Sequence, residues 1–147
     1  MPRPVRFACL IALSSALVGA SAEQSTSYGD YTVHYSAFTT DSLQPEVAKA
    51  YRIERSNKRG MVNVSVLRKL MGTTGQPVRA EVTVTATNLH GQTQKIPVRE
   101  LNDGGAIYYI GEFPVSNEDT LKFRIDVTPE GQNEGLSAQF DQEFYTD

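Results

Sequence analysis

The chain has 147 residues and carries 14 basic and 17 acidic side chains, which gives it a net charge of −3. Proteins that bind nucleic acid need a basic excess to neutralise phosphates, so this balance argues against nucleic acid as a partner. Cys9 is the only cysteine, and no disulfide can therefore form within the chain.

The N-terminal residues have the pattern of a secretory signal peptide. Arg3 and Arg6 form a short basic segment, and the mainly apolar residues 7–18 follow it. This apolar run is too short to span a bilayer about 30 Å thick. It also contains Cys9, so the exported part has to fold in an oxidising compartment without a disulfide.

Small residues mark the predicted cleavage position. Ala20 and Ala22 occupy the two positions that signal peptidase recognises, and the mature chain then begins at Glu23. Residues 1–22 are thus predicted to be removed. Residues 23–147 are predicted to form a single domain, which stays in the periplasm or is secreted. Loss of two of the 14 basic residues leaves 12 against 17 acidic ones, a net charge of −5. No second apolar segment approaches membrane-spanning length, so we predict no membrane span in the mature form.

Beyond Glu23, apolar residues recur at every second position, which is typical of half-buried strands. In chain order, this pattern predicts seven strands around residues 31–37, 62–66, 78–86, 96–98, 107–113, 121–127 and 138–144. Pro97 cannot donate a hydrogen bond to a ladder, so the fourth of these is predicted to lie at a sheet edge. Turn-forming residues at 89–91 and 102–105 separate the third, fourth and fifth strands.

One segment has helical instead of alternating character. Pro45 at the first position and Glu46 in the first turn favour a short helix over residues 45–51, between the first and second strands. Two turns are unstable alone in water, so Val47, Ala48 and Tyr51 are expected to pack against an end or open side of the sheets. The whole pattern predicts an all-β fold with two antiparallel sheets face to face.

Residues suited to catalysis or metal binding are scarce in the predicted mature chain. It has two histidines, His34 and His90, and no cysteine, while Ser65 lies among valines and outside any nucleophile-elbow motif. Neither histidine has a second histidine at a ligand spacing, and Met61 and Met71 do not complete a site. We therefore predict that the protein is not an enzyme and has no catalytic residue, metal site or cofactor.

Asp141 and Glu143 lie on one face of the last predicted strand, as a general acid–base pair would. Such a pair needs a cleft that separates the two pKa values, and the polar neighbour Gln139 gives no sign of one. The simpler interpretation is a solvated strand edge whose charges resist pairing with another sheet.

A local basic excess follows the predicted helix. Arg52, Arg55, Lys58 and Arg59 lie within eight residues, next to Tyr51. Arginine side chains bind carboxylates and phosphates, so this segment is the candidate site for an anionic envelope component. The alternative is a solvated loop, because such runs are frequent on protein surfaces.

Several motifs are spread over the predicted mature chain: Gly29-Asp30-Tyr31-x-Val33-His34-Tyr35, Pro45-Glu46-Val47-Ala48, Arg55-Ser56, Asn63-Val64-Ser65-Val66, Tyr108-Tyr109-Ile110 and Phe140-x-Gln142-x-Phe144-Tyr145. Together they resemble an uncharacterised Gram-negative family, domain of unknown function 4426. The resemblance implies an exported, single-domain β-sandwich of immunoglobulin type, without an assigned activity or site residue. With the strand pattern, the prediction is an immunoglobulin-like antiparallel β-sandwich of about seven strands, with one short helix between strands 1 and 2.

Two functions fit these features best. The first is a non-enzymatic module that interacts with an envelope protein or an anionic envelope component. The second is a periplasmic binder of a small ligand, with a pocket between the short helix and the open end of the sandwich, lined by Tyr51. A hydrolase or metal protein is a more distant third.

Overall fold

The computed structural model describes residues 23–146, which form ten strands and one α-helix. The strands are β1 (Gln24–Tyr28), β2 (Tyr31–Thr39), β3 (Arg59–Arg68), β4 (Gln76–Pro77), β5 (Ala80–Thr87), β6 (Thr93–Ile96), β7 (Arg99–Asp103), β8 (Ala106–Pro114), β9 (Asp119–Pro129) and β10 (Leu136–Phe144). The larger sheet has the order β1-β2-β3-β8-β7, with β4 beside the end of β3, and the smaller has the order β10-β9-β5-β6. Every pairing is antiparallel, which confirms the predicted β-sandwich.

The predicted signal peptide lies outside the described residues, together with Ala20 and Ala22 of the predicted cleavage site. Glu23 is the first described residue. Within residues 23–146, no helix is long and apolar enough to cross a membrane.

Alternate residues of the strands point between the two sheets, as the sequence pattern predicts. Val84 on β5 and Phe123 and Ile125 on β9 are fully buried in this core. Phe123 stacks on Phe140 with 4.9 Å between ring centroids, and the ring of Phe113 lies 5.3 Å away on the other sheet. Apolar burial at these positions stabilises the sandwich without a disulfide.

The structure has ten strands instead of the predicted seven, because two of them lack the apolar alternation that reveals a strand and one predicted strand is divided in two. The sequence of β1 is almost entirely polar, and β4 has only two residues. The strand predicted around residues 96–98 is in fact divided into β6 and β7, and Pro97 lies between them, where the chain passes from the smaller to the larger sheet. Both are edge strands, as the proline predicts, although Pro97 itself belongs to neither.

The segment that connects β6 to β7 lies directly against Gly111 of β8. A Cβ atom at Gly111 would lie 2.6 Å from Cγ2 of Ile96 and 2.7 Å from the carbonyl oxygen of Pro97. These distances are too short for any side chain, so the close approach of the two sheets at this edge requires glycine.

The helix α1 (Pro45–Tyr51) spans the predicted residues. It packs on the outer face of the larger sheet, where Ala48 and Ile53 are buried against Met61 of β3 and Ile110 of β8. Met61 and Ile110 alternate with core residues on their strands, so the sheet is apolar on both sides here. The open side that the sequence predicts for the helix is therefore this outer face.

Candidate interaction surfaces

Tyr51 and Arg52 form the end of α1. Arg52 has a left-handed conformation (φ 57°) that ends the helix, and its side chain is exposed. The hydroxyl of Tyr51 donates a 2.6 Å hydrogen bond to Oδ2 of Asp103, and this bond raises the pKa of Tyr51. The guanidinium of Arg99 donates to the carbonyl oxygen of Tyr51. Tyr51 thus anchors the helix to β7.

A buried hydroxyl orders the segment after the helix. Thr40 is fully buried, and its Oγ1 shares its proton between the carbonyl oxygens of Glu54 (2.7 Å) and Ser56 (3.1 Å). The same oxygen accepts the N–H of Ser56 at 2.9 Å. The guanidinium of Arg55 donates to the carbonyl oxygen of Asp41 at 2.9 Å. The course of residues 52–58 is therefore well defined.

Arg59 does not belong to this segment, which corrects the prediction of one basic loop. It is the first residue of β3, and its Nη2 lies 3.3 Å from Oε1 of Glu112. Its Nε is buried and has no partner within residues 23–146. The half-buried position and the ion pair give Arg59 a structural role. Arg52, Arg55 and Lys58 remain as exposed basic side chains, and Arg55 is the one bound to the carbonyl oxygen of Asp41.

The space beneath α1 is filled by side chains, whereas the sequence suggests a pocket beside it. A cleft of about 360 Å³ lies further along the same outer face, and Tyr51 does not line it. It forms where β3 leaves β8, because their pairing ends at Val64 and Tyr109 and β4 pairs with β3 from Leu67 onward.

Glu23, His34 and Ser65 meet at this cleft. Nδ1 of His34 lies 2.9 Å from Oε1 of Glu23, and Ser65 is opposite His34 in the register of β2 and β3. These are the residue types of a nucleophilic triad. A triad requires a hydrogen bond between the histidine and the serine, and the hydrogen bonds of residues 23–146 do not include one.

The other candidate ligands are dispersed. His90 is exposed at the turn between β5 and β6, as predicted. Met61 is buried under the helix and Met71 is exposed in the loop between β3 and β4. The part of the chain that the structure describes contains no group of three side chains that could hold a metal ion.

β10 is the last strand of the smaller sheet and pairs with β9 alone. In an antiparallel strand the N–H and C=O of one residue point to the same side, and those of the next residue to the other. The carbonyl oxygen of Ser137 accepts a hydrogen bond from Tyr28, and that of Glu143 accepts one from the amide of Gln142 at 2.9 Å. These bonds identify the open side, so the backbone groups of Gln139 and Asp141 also point away from β9.

Asp141 and Glu143 have the exposed positions expected of a solvated strand edge. Both lie on the outer side of β10, and Lys122 of β9 is opposite Asp141 in the register. Glu143 forms a hydrogen bond with Tyr145 that raises the pKa of that tyrosine. The edge thus combines open backbone groups with two carboxylates, one of which has Lys122 as its cross-strand neighbour.

Comparison with known proteins places this geometry in a family. DUF4426, a domain of unknown function, matches residues 25–147, and no curated protein matches the chain. A DUF4426 family protein from Pseudomonas aeruginosa PAO1 has a similar crystal structure, with 36% identity and a TM-score of 0.73 over 85% of this chain and 96% of that chain.

Two structures of FetP from uropathogenic E. coli strain F11 are more distant. FetP as isolated after expression in the periplasm has 7% identity and a TM-score of 0.59, over 85% of this chain and 95% of FetP. A copper-bound FetP variant has 6% identity and a TM-score of 0.57, over 87% and 93%. At such identities the likeness to FetP shows the fold alone. The family match and the Pseudomonas structure show that this chain belongs to the DUF4426 family.

Proposed function

We propose that this protein is an exported, non-enzymatic module of the cell envelope, periplasmic or secreted, that binds an extended segment of a partner protein by strand addition at β10. The observation that carries the proposal is the open edge. Gln139 and Asp141 present backbone donors and acceptors that no strand within residues 23–146 takes up. A partner strand satisfies such groups and gains affinity from main-chain hydrogen bonds.

The other sheet edges are less suitable for strand addition. β6 has four residues and is followed by Pro97, and β1 has five. β7 also has five, and Arg99 ties it to the end of the helix. β10 has nine residues, which makes it the longest edge strand in the described chain.

The charges beside β10 favour a basic partner strand. Pairing of two copies through β10 would gather four carboxylates, from Asp141 and Glu143 of each, on one side of the new sheet. Like charges at neighbouring cross-strand positions are destabilising. A partner with lysine or arginine at alternate positions places these cations beside the carboxylates. Its intervening residues then face the inner side of the sandwich, where Phe140 and Phe144 lie, and apolar residues fit there.

The envelope location is supported by the N-terminal sequence. Arg3, Arg6, the apolar residues 7–18 and the small residues before Glu23 have the order that the export machinery requires. The non-enzymatic part rests on the sequence, because the predicted mature chain has two histidines, no cysteine and no nucleophile-elbow motif.

A synthetic peptide of nine residues that alternates valine with lysine tests the proposal. Added to isotope-labelled protein, it is expected to shift the amide resonances of Gln139 and Asp141 and to slow their exchange with solvent. A peptide that alternates valine with glutamate is the matched control and should not bind. Unchanged β10 amides at saturating concentrations of the first peptide would contradict strand addition.

A proline at the open edge supplies the matching protein variant. Asp141→Pro removes an N–H that points away from β9, so the ladder between β9 and β10 stays intact while the docking edge is blocked. Asp141→Asn keeps the N–H and removes only the charge. We expect Asp141→Pro to abolish peptide binding and Asp141→Asn to weaken it. Equal binding by Asp141→Pro and the native protein would show that the backbone edge is not used.

Arg52 and Lys58 support a second candidate partner, an anionic envelope component. The Thr40 hydrogen bonds keep this exposed segment ordered, so less entropy is lost on binding. Lipopolysaccharide is the probe, and binding should weaken as the Debye length falls from about 10 Å at 0.1 M salt to about 3 Å at 1 M. Arg52→Glu with Lys58→Glu should abolish it without changing the melting temperature. Salt-independent binding, or full binding by this variant, would exclude the site.

A further inference from the structure

The loop between β3 and β4 presents two apolar side chains to solvent. Leu70 is 48% exposed and Met71 is 101% exposed. Of the large hydrophobic side chains that are exposed within residues 23–146, these are the only two that follow each other in the sequence. Single exposed apolar residues are common on proteins, whereas adjacent ones form an apolar patch of the kind that marks an interaction site.

Hydrogen bonds define the turn that carries these two side chains. The N–H of Thr73 donates to the carbonyl oxygen of Leu70 at 3.2 Å, and Oγ1 of Thr73 donates to the same oxygen at 3.0 Å. Gly72 follows Met71 with φ +76°, the value that a type II turn requires at its third position. Met71 therefore occupies the second position of a defined turn, where its side chain is fully exposed.

Two basic residues precede the apolar pair. Arg68 is exposed at the end of β3, and Lys69 is fixed by two hydrogen bonds to the neighbouring turn. Its N–H donates to the carbonyl oxygen of Asp30 at 2.7 Å and its Nζ to that of Gly29 at 2.9 Å. The Asp30 side chain brings one negative charge, so the basic residues remain in excess at this tip.

We infer that this tip, residues 68–71, inserts into the surface of a membrane that contains anionic phospholipid. Apolar side chains at an exposed turn enter the acyl region without the matching shape that a protein pocket must supply, and the preceding cations Arg68 and Lys69 meet the headgroup phosphates. Two inserted side chains give weak and reversible attachment. This inference is independent of strand addition at β10, which uses another part of the sandwich.

Tryptophan provides a direct test, because the chain has none. Met71→Trp, made in the full chain and purified from the cells that express it, places a reporter at the tip. Its fluorescence should shift to the blue with vesicles of phosphatidylethanolamine and phosphatidylglycerol, and much less with phosphatidylcholine alone. Leu89→Trp is the matched control, because Leu89 is exposed (78%) at the turn after β5, at the opposite end of the sandwich.

Co-sedimentation separates the two contributions to membrane binding. Leu70→Ser with Met71→Ser should lower vesicle binding by at least about tenfold, because the transferred apolar area is lost. Arg68→Gln with Lys69→Gln should also lower it by about tenfold, but only for anionic vesicles. All of these variants should still bind the valine–lysine peptide at β10.

Three results would overturn the inference. The first is the absence of a blue shift for Met71→Trp with anionic vesicles, which would leave a protein partner as the occupant of the tip. The second is an equal shift for Leu89→Trp, which would indicate non-specific adsorption. The third is undiminished sedimentation of the double serine variant.

Discussion

Replacement of Phe123 by alanine tests the packing of the sandwich most severely. The side chain is fully buried, and its ring contacts Phe140 at 4.9 Å and Phe113 at 5.3 Å between centroids. Truncation of a buried phenylalanine costs about 3–5 kcal/mol, from lost transfer free energy and from the cavity that remains. The neighbouring rings lie on strands of both sheets and cannot easily collapse into the cavity. We therefore expect a loss in the upper part of this range, about 4–5 kcal/mol.

Urea denaturation followed by circular dichroism measures this loss as a change in the free energy of unfolding. Lys122→Ala is the matched control, since Lys122 precedes Phe123 in β9 and points to solvent; its cost should stay within about 0.5 kcal/mol. A loss below about 1 kcal/mol for Phe123→Ala would mean that the aromatic cluster is not packed as described. A larger loss for Lys122→Ala than for Phe123→Ala would mean that the two faces of β9 are exchanged.

Three further predictions use the same measurement. Gly111→Ala should cost about 1–3 kcal/mol, because the added Cβ meets the carbonyl oxygen of Pro97 at 2.7 Å. Gly135→Ala is the control and should be nearly neutral, since the atom nearest to its Cβ is 3.4 Å away. Equal costs for the two variants would contradict the close approach at Gly111. Thr40→Val should cost about 1–3 kcal/mol and speed amide exchange at Ser56, whose N–H loses its acceptor; unchanged exchange would show that the hydroxyl does not hold this segment. The hydrogen bond from Ser137 is the main cause that lowers the pKa of Asp126. The charged carboxylate therefore stabilises the fold above about pH 4, and this contribution is lost as the pH falls through the lowered pKa. Asp126→Asn should therefore be less stable than the native protein at pH 7, by under about 1 kcal/mol for this partly exposed group, and the difference should vanish in acid; a constant difference across this range would contradict the assignment.

The strands with a buried face are readable in the sequence because of a simple geometric rule. Successive side chains of a strand point to opposite faces, so Val82, Val84, Phe123 and Ile125 alternate with polar residues wherever one face meets the core. The helix is equally readable, since Pro45 and Glu46 mark its first turn locally. These signals depend on neighbours a few residues apart.

Strands that pair through backbone hydrogen bonds without a buried face cannot be predicted from this alternation. β1 pairs with β2 through main-chain hydrogen bonds that any sequence can form, so its polar residues give no pattern. Arg59 shows the same limit for charges. Its place in a run of basic residues suggests a loop, whereas its partner Glu112 is 53 residues further along the chain.

The candidate interaction surfaces depend even more on long-range contacts. The acidic residues Asp141 and Glu143 suggest an edge, but the open side of β10 is defined by which strands are its neighbours. The exposure of Leu70 and Met71 likewise depends on the lack of a neighbouring segment over the loop between β3 and β4 within the described residues. A sequence pattern shows where the apolar residues are, but it does not predict which of them are covered by another segment of the chain.

The sequence by itself determined the alternation of the core strands, the short helix and the all-β class, because each of these follows from the period of side chains along one segment. The tertiary structure alone decided the strand order, the close passage at Gly111, the separation of Arg59 from the basic segment and the open edge at β10. These features depend on contacts between segments that are distant in the chain, where local periodicity carries no information about which partner each segment will meet.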